Sequence, residues 1–154
     1  MNEDIFLKYL EHFDGSFRQM ISEMADFQIS RCDESSLDPE RKIAVIVGIT
    51  LSNRGRILFE AERGLVNRIT EGMNGEPLED PMQTYFFLAE FANIFCGKAV
   101  SRINNLYRTE LRLTPPALFA GSGMRIITPG IRSEAVFYTS ESGRGLLNVG
   151  IEGV

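Results

Sequence analysis

Glu90 and Asn93 stand three residues apart in the stretch Glu90-Phe91-Ala92-Asn93-Ile94-Phe95-Cys96-Gly97-Lys98. On a helix that spacing places them side by side, one turn apart. A carboxylate only accepts hydrogen bonds, whereas a carboxamide both donates and accepts, so Asn93 can hold one water through both kinds of bond. Little else in the chain carries chemistry. The one histidine is His12, and Cys32 and Cys96 lack C-x-x-C spacing, so the sequence builds neither a zinc site nor a Cys/His pair. Both cysteines read as small apolar residues. The E-x-x-N spacing alone is weak, because Glu71 and Asn74 repeat it in a glycine-rich turn, and by itself Glu90 reads first as an ordinary exposed helix glutamate. Asn93 is a poorer helix former than alanine by up to about 0.7 kcal/mol, so its place in mid-helix asks for a reason.

The element that must position the pair is a long helix over residues 80–106. Asp80 is suited to the N-cap and Pro81 to the first helical position, and no further proline follows until Pro115. At 100° per residue, Leu88, Ala92, Phe95, Ala99, Ile103 and Leu106 form one apolar stripe, the expected core face. Glu90, Asn93, Gly97, Ser101 and Asn104 fall opposite, flanked by Phe87, Phe91 and Ile94 on one side and by Ala89, Cys96 and Val100 on the other. A solvated face is normally broad and rich in Lys and Glu. This strip is narrow with apolar shoulders, which points to a surface that another molecule covers.

The chain of 154 residues is expected to be one domain, residues 1–154, long enough to bury about two-thirds of its unfolded surface. A formal net charge of −5 argues against a nucleic-acid partner, which would draw on clustered Lys and Arg. The longest apolar run, residues 43–49, is far shorter than the roughly 18 residues of a membrane span. The acidic start is unlike a secretory leader, so a cytoplasmic location off the membrane is expected.

Helical spacing of apolar residues predicts a first helix over residues 3–25, interrupted by Gly15. Short strands are expected at 27–31, 109–113, 117–120 and 124–128, and a second helix at 62–73. Residues 43–51 and 55–60 read as a hairpin, as do 133–139 and 145–151. The two hairpins share the pattern S-x-x-G-R, at Ser52 to Arg56 and at Ser140 to Arg144, and the helix before each carries an interior glycine, Gly15 and Gly97. The expected architecture is therefore α+β: a duplicated helix-plus-strands unit, with both long helices on one face of a mostly antiparallel sheet, close together at the two glycines. In that alignment Lys8 stands where Glu90 does and Glu11 where Asn93 does, so only the second copy carries the pair.

The segment from Glu90 to Lys98 resembles the E-x-x-N-(I/M)-x-x-G-K helix of the CheC/CheX/FliY chemotaxis phosphatases, and Leu113-Thr114-Pro115-Pro116 followed by Gly121 is similar to a second segment of that family. The order of elements also fits from about residue 5 to the end. CheC-like members carry the helix motif twice and this chain carries it once, which places the resemblance with the CheX branch.

The resemblance implies dephosphorylation of a CheY-type response regulator, with Asn93 orienting the attacking water and Glu90 docking on the regulator's active-site lysine. No cofactor of its own and no metal site is implied, since the Mg²⁺ belongs to the regulator. Phe87, Phe91, Ile94, Gly97 and Lys98 are the further candidate partner contacts, although Gly97 reads first as a packing residue. A homodimer joined through sheet edges is also implied. The alternative is a non-catalytic module that holds a response regulator, or a motor or receptor component, on the same helix face.

Overall fold

Two aspartates start the long helices of the computed structural model, which describes residues 4–34, 36–121 and 123–154. The Asp4 side chain accepts from the Leu7 N–H at the head of α1 (Ile5–Ala25), and Asp80 accepts from the Met82 N–H, with Pro81 at the first position, at the head of α3 (Pro81–Tyr107). Each cap satisfies a donor that has no partner inside the helix. Between them lie β1 (Ser30–Cys32), β2 (Lys42–Leu51), β3 (Gly55–Glu62) and α2 (Arg63–Asn74); after α3 come β4 (Leu111–Leu113), β5 (Ala117–Ala120), β6 (Ser133–Ser140) and β7 (Gly143–Ile151). Among the described residues no helix is long and apolar enough to cross a membrane.

The seven strands form one sheet in the order β1-β6-β7-β3-β2-β4, with β5 also on β2, and every pairing is antiparallel. The expected duplication is written into the register of the central pair. Laying Gly55 on Gly143 carries the pair Ile57↔Val149 onto Gly145↔Ala61, which is itself in the ladder, and leaves Phe59↔Leu147 on the pseudo-twofold axis. Each half also lends a strand to the other: β1 pairs with β6, while β4 and β5 pair with β2.

Alternation along the strands divides the two faces of the sheet. Ile43, Val45, Val47, Ile49, Ile57, Phe59, Leu147, Val149 and Ile151 turn toward the helices and are fully buried. Phe17 of α1 is the hub beneath them, with its ring 5.1 Å from Phe59, 5.9 Å from Phe91, 5.4 Å from Phe95 and 4.6 Å from Tyr138. Tilted and edge-on aromatic pairs add about 0.5–1.5 kcal/mol each beyond the area they bury, so this cluster fixes α1 and α3 on the sheet.

Three expectations need correction. The helices do meet, but Ser16 and Phe95 make the contact: Ser16 Oγ donates to the Phe95 carbonyl at 2.7 Å. A Cβ built at Gly15 or Gly97 would find no atom within 4 Å, so neither glycine marks a close approach of backbones. The helix glycines that do are those of α2: a Cβ would lie 2.1 Å from the Ser142 carbonyl oxygen at Gly64 and 2.4 Å from that of Ala25 at Gly72. Residues 124–128 form no strand. They cross the outer face of the sheet, where Thr128 Oγ1 accepts from Arg56 Nε at 2.8 Å. Finally, Leu106 is 64% exposed rather than in the core stripe. The last turn of α3 packs through Tyr107 instead, 5.4 Å from the Tyr9 ring.

Candidate functional site

The inner arc of α3 is wider than its apolar stripe, because the helix packs on both α1 and the sheet. Leu88, Phe91, Ala92, Phe95, Cys96, Ala99 and Ile103 are all fully buried. Phe91 therefore belongs to the core, 5.3 Å from Phe95 and 5.9 Å from Phe17, and offers nothing to a partner, which corrects the expectation that it borders the strip. Ile94 is half-buried against the core, and Phe87 is half-buried. Burial pushes the Cys96 thiol well above the ordinary thiol range, so this cysteine is an inert packing group.

Glu90 and Asn93 are exposed on the outer face, and among the described residues neither side chain has a hydrogen-bond or ion-pair partner. The aromatic cluster beneath them makes that face a firm platform. Asn93 lines a shallow depression of about 540 Å³ together with Ile94, Gly97, Lys98, Ser101 and Arg102. Its far end is basic: Lys98 and Arg102 are exposed, and Arg102 donates to Gln19 Oε1 of α1 at 2.6 Å. Asn104, counted on the same strip, is used internally, with its Oδ1 accepting from the Thr109 hydroxyl and the Leu111 N–H.

On the other side of the pair the strip ends in an apolar knob that the sequence reading passed over. Phe86 is 69% exposed and Met82 55% exposed, each one turn before the next along the row 82, 86, 90. Phe87 was named from the flank, but Phe86 lies within about 20° of Asn93 and Gly97 around the helix. The i, i+4 spacing from Glu90 was the signal that could have found it. Met82 and Phe86 continue into a second hollow of about 370 Å³ bordered by Tyr85, Pro116 and Leu118.

The remaining candidates lie elsewhere. His12 sits on α1 against the Tyr107 ring at 6.1 Å; burial, then the nearby Arg102 and Lys8 charges, lower its pKa. Glu71 and Asn74 of the repeated spacing fall at the end of α2, where Asn74 Nδ2 donates to the Glu76 carbonyl. Among the described residues no three His, Cys, Asp or Glu side chains are placed to share a metal ion.

The exposed carboxylate–carboxamide pair thus lies on α3 between an apolar knob and a basic hollow. Comparison with solved structures places this architecture. A CheX chemotaxis protein from Desulfovibrio desulfuricans matches with a TM-score of 0.81 at 17% identity, covering 94% of this chain and 99% of that one. CheX from Vibrio vulnificus matches at 0.80 with 18% identity, covering 94% and 96%. The CheX–CheY–BeF3–Mg²⁺ complex from Borrelia burgdorferi contains a chain that matches at 0.75 with 21% identity, covering 93% and 97%. At these identities the likeness is one of fold, the α+β arrangement with a mostly antiparallel sheet. No curated protein matches the sequence. The family model described as "Chemotaxis phosphatase CheX" matches residues 43–140, a span that runs from the central hairpin through the whole of α3. More than half of the chain, the segment bearing Glu90 and Asn93 included, follows that model, and the chain belongs to the CheX family of chemotaxis phosphatases.

Proposed function

We propose that this protein hydrolyses the aspartyl phosphate of a CheY-type response regulator, with Asn93 as the water-positioning residue and Glu90 as the docking residue. The observation that carries this reading is the exposure of both side chains, unpartnered, on the outer ridge of α3 in a chain of the CheX family. One structural relative was crystallised with CheY, BeF3 and Mg²⁺. In such a complex beryllofluoride stands in for the phosphoryl group on the regulator's aspartate.

An aspartyl phosphate is an acyl phosphate, already reactive, and its Mg²⁺ and lysine belong to the regulator. The phosphatase has mainly to place a water in line with the phosphorus. The Asn93 carboxamide does so by accepting from that water and donating to it. The water oxygen bonds to phosphorus as the P–O bond to the aspartate breaks, so the products are a free carboxylate and dihydrogen phosphate, which carries both of the water's protons. Glu90, one turn earlier, pairs with the regulator's active-site lysine and sets the depth of insertion. The protein brings no cofactor of its own and acts in the cytoplasm with its partner. The alternative, binding without turnover, draws on the exposed Met82 and Phe86, which supply affinity without chemistry.

Phosphate release from a phosphorylated CheY-type regulator in Mg²⁺, with and without the protein, tests the reading. Stimulated release is expected. Tight binding to the beryllofluoride-loaded regulator with no stimulation would favour the non-catalytic alternative. A homodimer through sheet edges is part of the proposal, since among the described residues β5 pairs only with β2 and carries the 42%-exposed Phe119 at that edge. Sedimentation equilibrium at micromolar concentration showing only a 17.3 kDa species would count against it.

A further inference from the structure

We infer that Gly97 is a clearance residue: it leaves the hollow beside Asn93 open so that the backbone of the regulator's phosphate-bearing loop can lie against α3. This rests on the phosphatase reading above and goes beyond it, because it assigns a role to a residue with no side chain.

Glycine inside a helix is unfavourable, so an interior glycine needs a reason in the fold or outside it. At the two glycines of α2 the reason is internal. In α2 a Cβ at Gly64 would lie 2.1 Å from the Ser142 carbonyl oxygen, and one at Gly72 would lie 2.4 Å from that of Ala25. At Gly97 a Cβ would meet no atom within 4 Å. The fold does not require the glycine, and it stands one turn after Asn93 on the floor of the same hollow. Lys98 and Arg102 border that floor and complement a loop that carries phosphate among metal-binding carboxylates. A methyl group there would hold the loop off the helix, so the loss falls first on docking of the regulator and only then on the water that Asn93 places.

Gly15 provides the control. It is also interior to a long helix and also open, and it lies on α1 beside Lys8 and Glu11 rather than the Glu90/Asn93 pair. Gly15→Ala, Gly97→Ala and Asn93→Ala would each be melted, titrated with a beryllofluoride-loaded CheY-type receiver and assayed for phosphate release. Both glycine variants should melt higher, by about 2–4 °C, because alanine restricts the unfolded chain and favours the helix. Gly97→Ala alone should bind the loaded receiver at least about tenfold more weakly and raise KM more than it lowers kcat, with Gly15→Ala indistinguishable from wild type in both. Wild-type binding and turnover by Gly97→Ala, or a lowered melting temperature, would overturn the inference. If wild-type protein gives no stimulated release, or Asn93→Ala releases phosphate normally, the phosphatase reading itself fails and the inference falls with it.

Discussion

Ser16 Oγ donates a 2.7 Å hydrogen bond to the main-chain carbonyl of Phe95, and both residues are fully buried where α1 crosses α3. Phe95 lies between Asn93 and Gly97 in sequence, on the opposite side of the helix. The bond therefore holds the site's helix from beneath, at the height of the site. The carbonyl has a second lone pair for its helical N–H partner, so removing the hydroxyl leaves no orphan. Ser16→Ala should cost about 1 kcal/mol, a melting temperature lower by about 2–4 °C. Ser16→Val, by wedging the helices apart, should cost about 1–3 kcal/mol and reduce phosphatase activity with it. Thermal melts alongside phosphate release would check both, and unchanged stability in the valine variant would show that the crossing is not tightly packed.

Asp14 is fully buried and accepts from three side chains: the Tyr138 hydroxyl, Arg18 through two bonds of 3.1 and 2.7 Å, and Arg31 at 3.3 Å. Arg31 is the ladder partner of Tyr138, so this one carboxylate ties α1 to the β1–β6 edge. Burial, then the neighbouring Asp14 charge, raises the tyrosine's pKa. Both arginines are 44% exposed and stay solvated without the carboxylate, so the main loss is the buried acceptor. Asp14→Asn should destabilise by about 1.5–3 kcal/mol, the worth of hydrogen bonds to a charged acceptor. Denaturant unfolding would measure it. A loss below about 1 kcal/mol would mean that the edge is held by other contacts.

Much of this fold is legible locally. Asp80 and Pro81 announce the head of α3, and the S-x-x-G-R turns announce two hairpins whose alignment fits the observed central register. Long-range partnerships are not written that way. Nothing near Ser30–Cys32 tells that β1 pairs with residues 137–139 at the far end of the chain. Phe91 lies off the single apolar stripe yet is fully buried, because α3 packs on two neighbours. Residues 124–128 read as a strand by composition, but the contact seen there is a long-range one, from Arg56 of β3 to the Thr128 hydroxyl, that no local pattern reveals. The Glu90/Asn93 strip was legible because helical geometry alone aligns it; Phe86 was missed on the same row.

Glu62 gives the fold a dependence on acid. Burial would raise its pKa, but the Asp38 and Arg144 N–H groups and the Arg144 guanidinium outweigh that and hold it below its usual value of 4.5. A carboxyl whose pKa is depressed on folding adds stability above its unfolded value, and that stability is lost as the pH falls through the folded value. Glu62→Gln should therefore melt lower than wild type at pH 7, and the gap should close on acidification below about pH 4.5. Melting curves from pH 7 to pH 3 would show this, and a gap that stays constant with pH would refute the assignment.

The roles proposed for the two neighbouring residues of the site can be separated by experiment. If Asn93 orients the attacking water, Asn93→Ala should still bind the phosphorylated regulator and lose stimulated hydrolysis by about 100-fold or more. If Glu90 docks on the regulator's lysine, Glu90→Ala should weaken binding and turnover together, and Glu90→Gln should lie between, having kept the shape and lost the charge. Both side chains are exposed, so neither truncation opens a cavity and the fold should melt as wild type does. Asn74→Ala is the matched control, since Asn74 shares the E-x-x-N spacing but ends α2, where it bonds the Glu76 carbonyl. It should leave activity untouched. Single-turnover dephosphorylation and regulator binding, measured on all four variants, separate the roles. Normal hydrolysis by Asn93→Ala would remove the catalytic assignment and leave a binding surface, whereas normal binding by Glu90→Ala would mean that the apolar knob at Phe86 and the basic end at Lys98 and Arg102 do the docking.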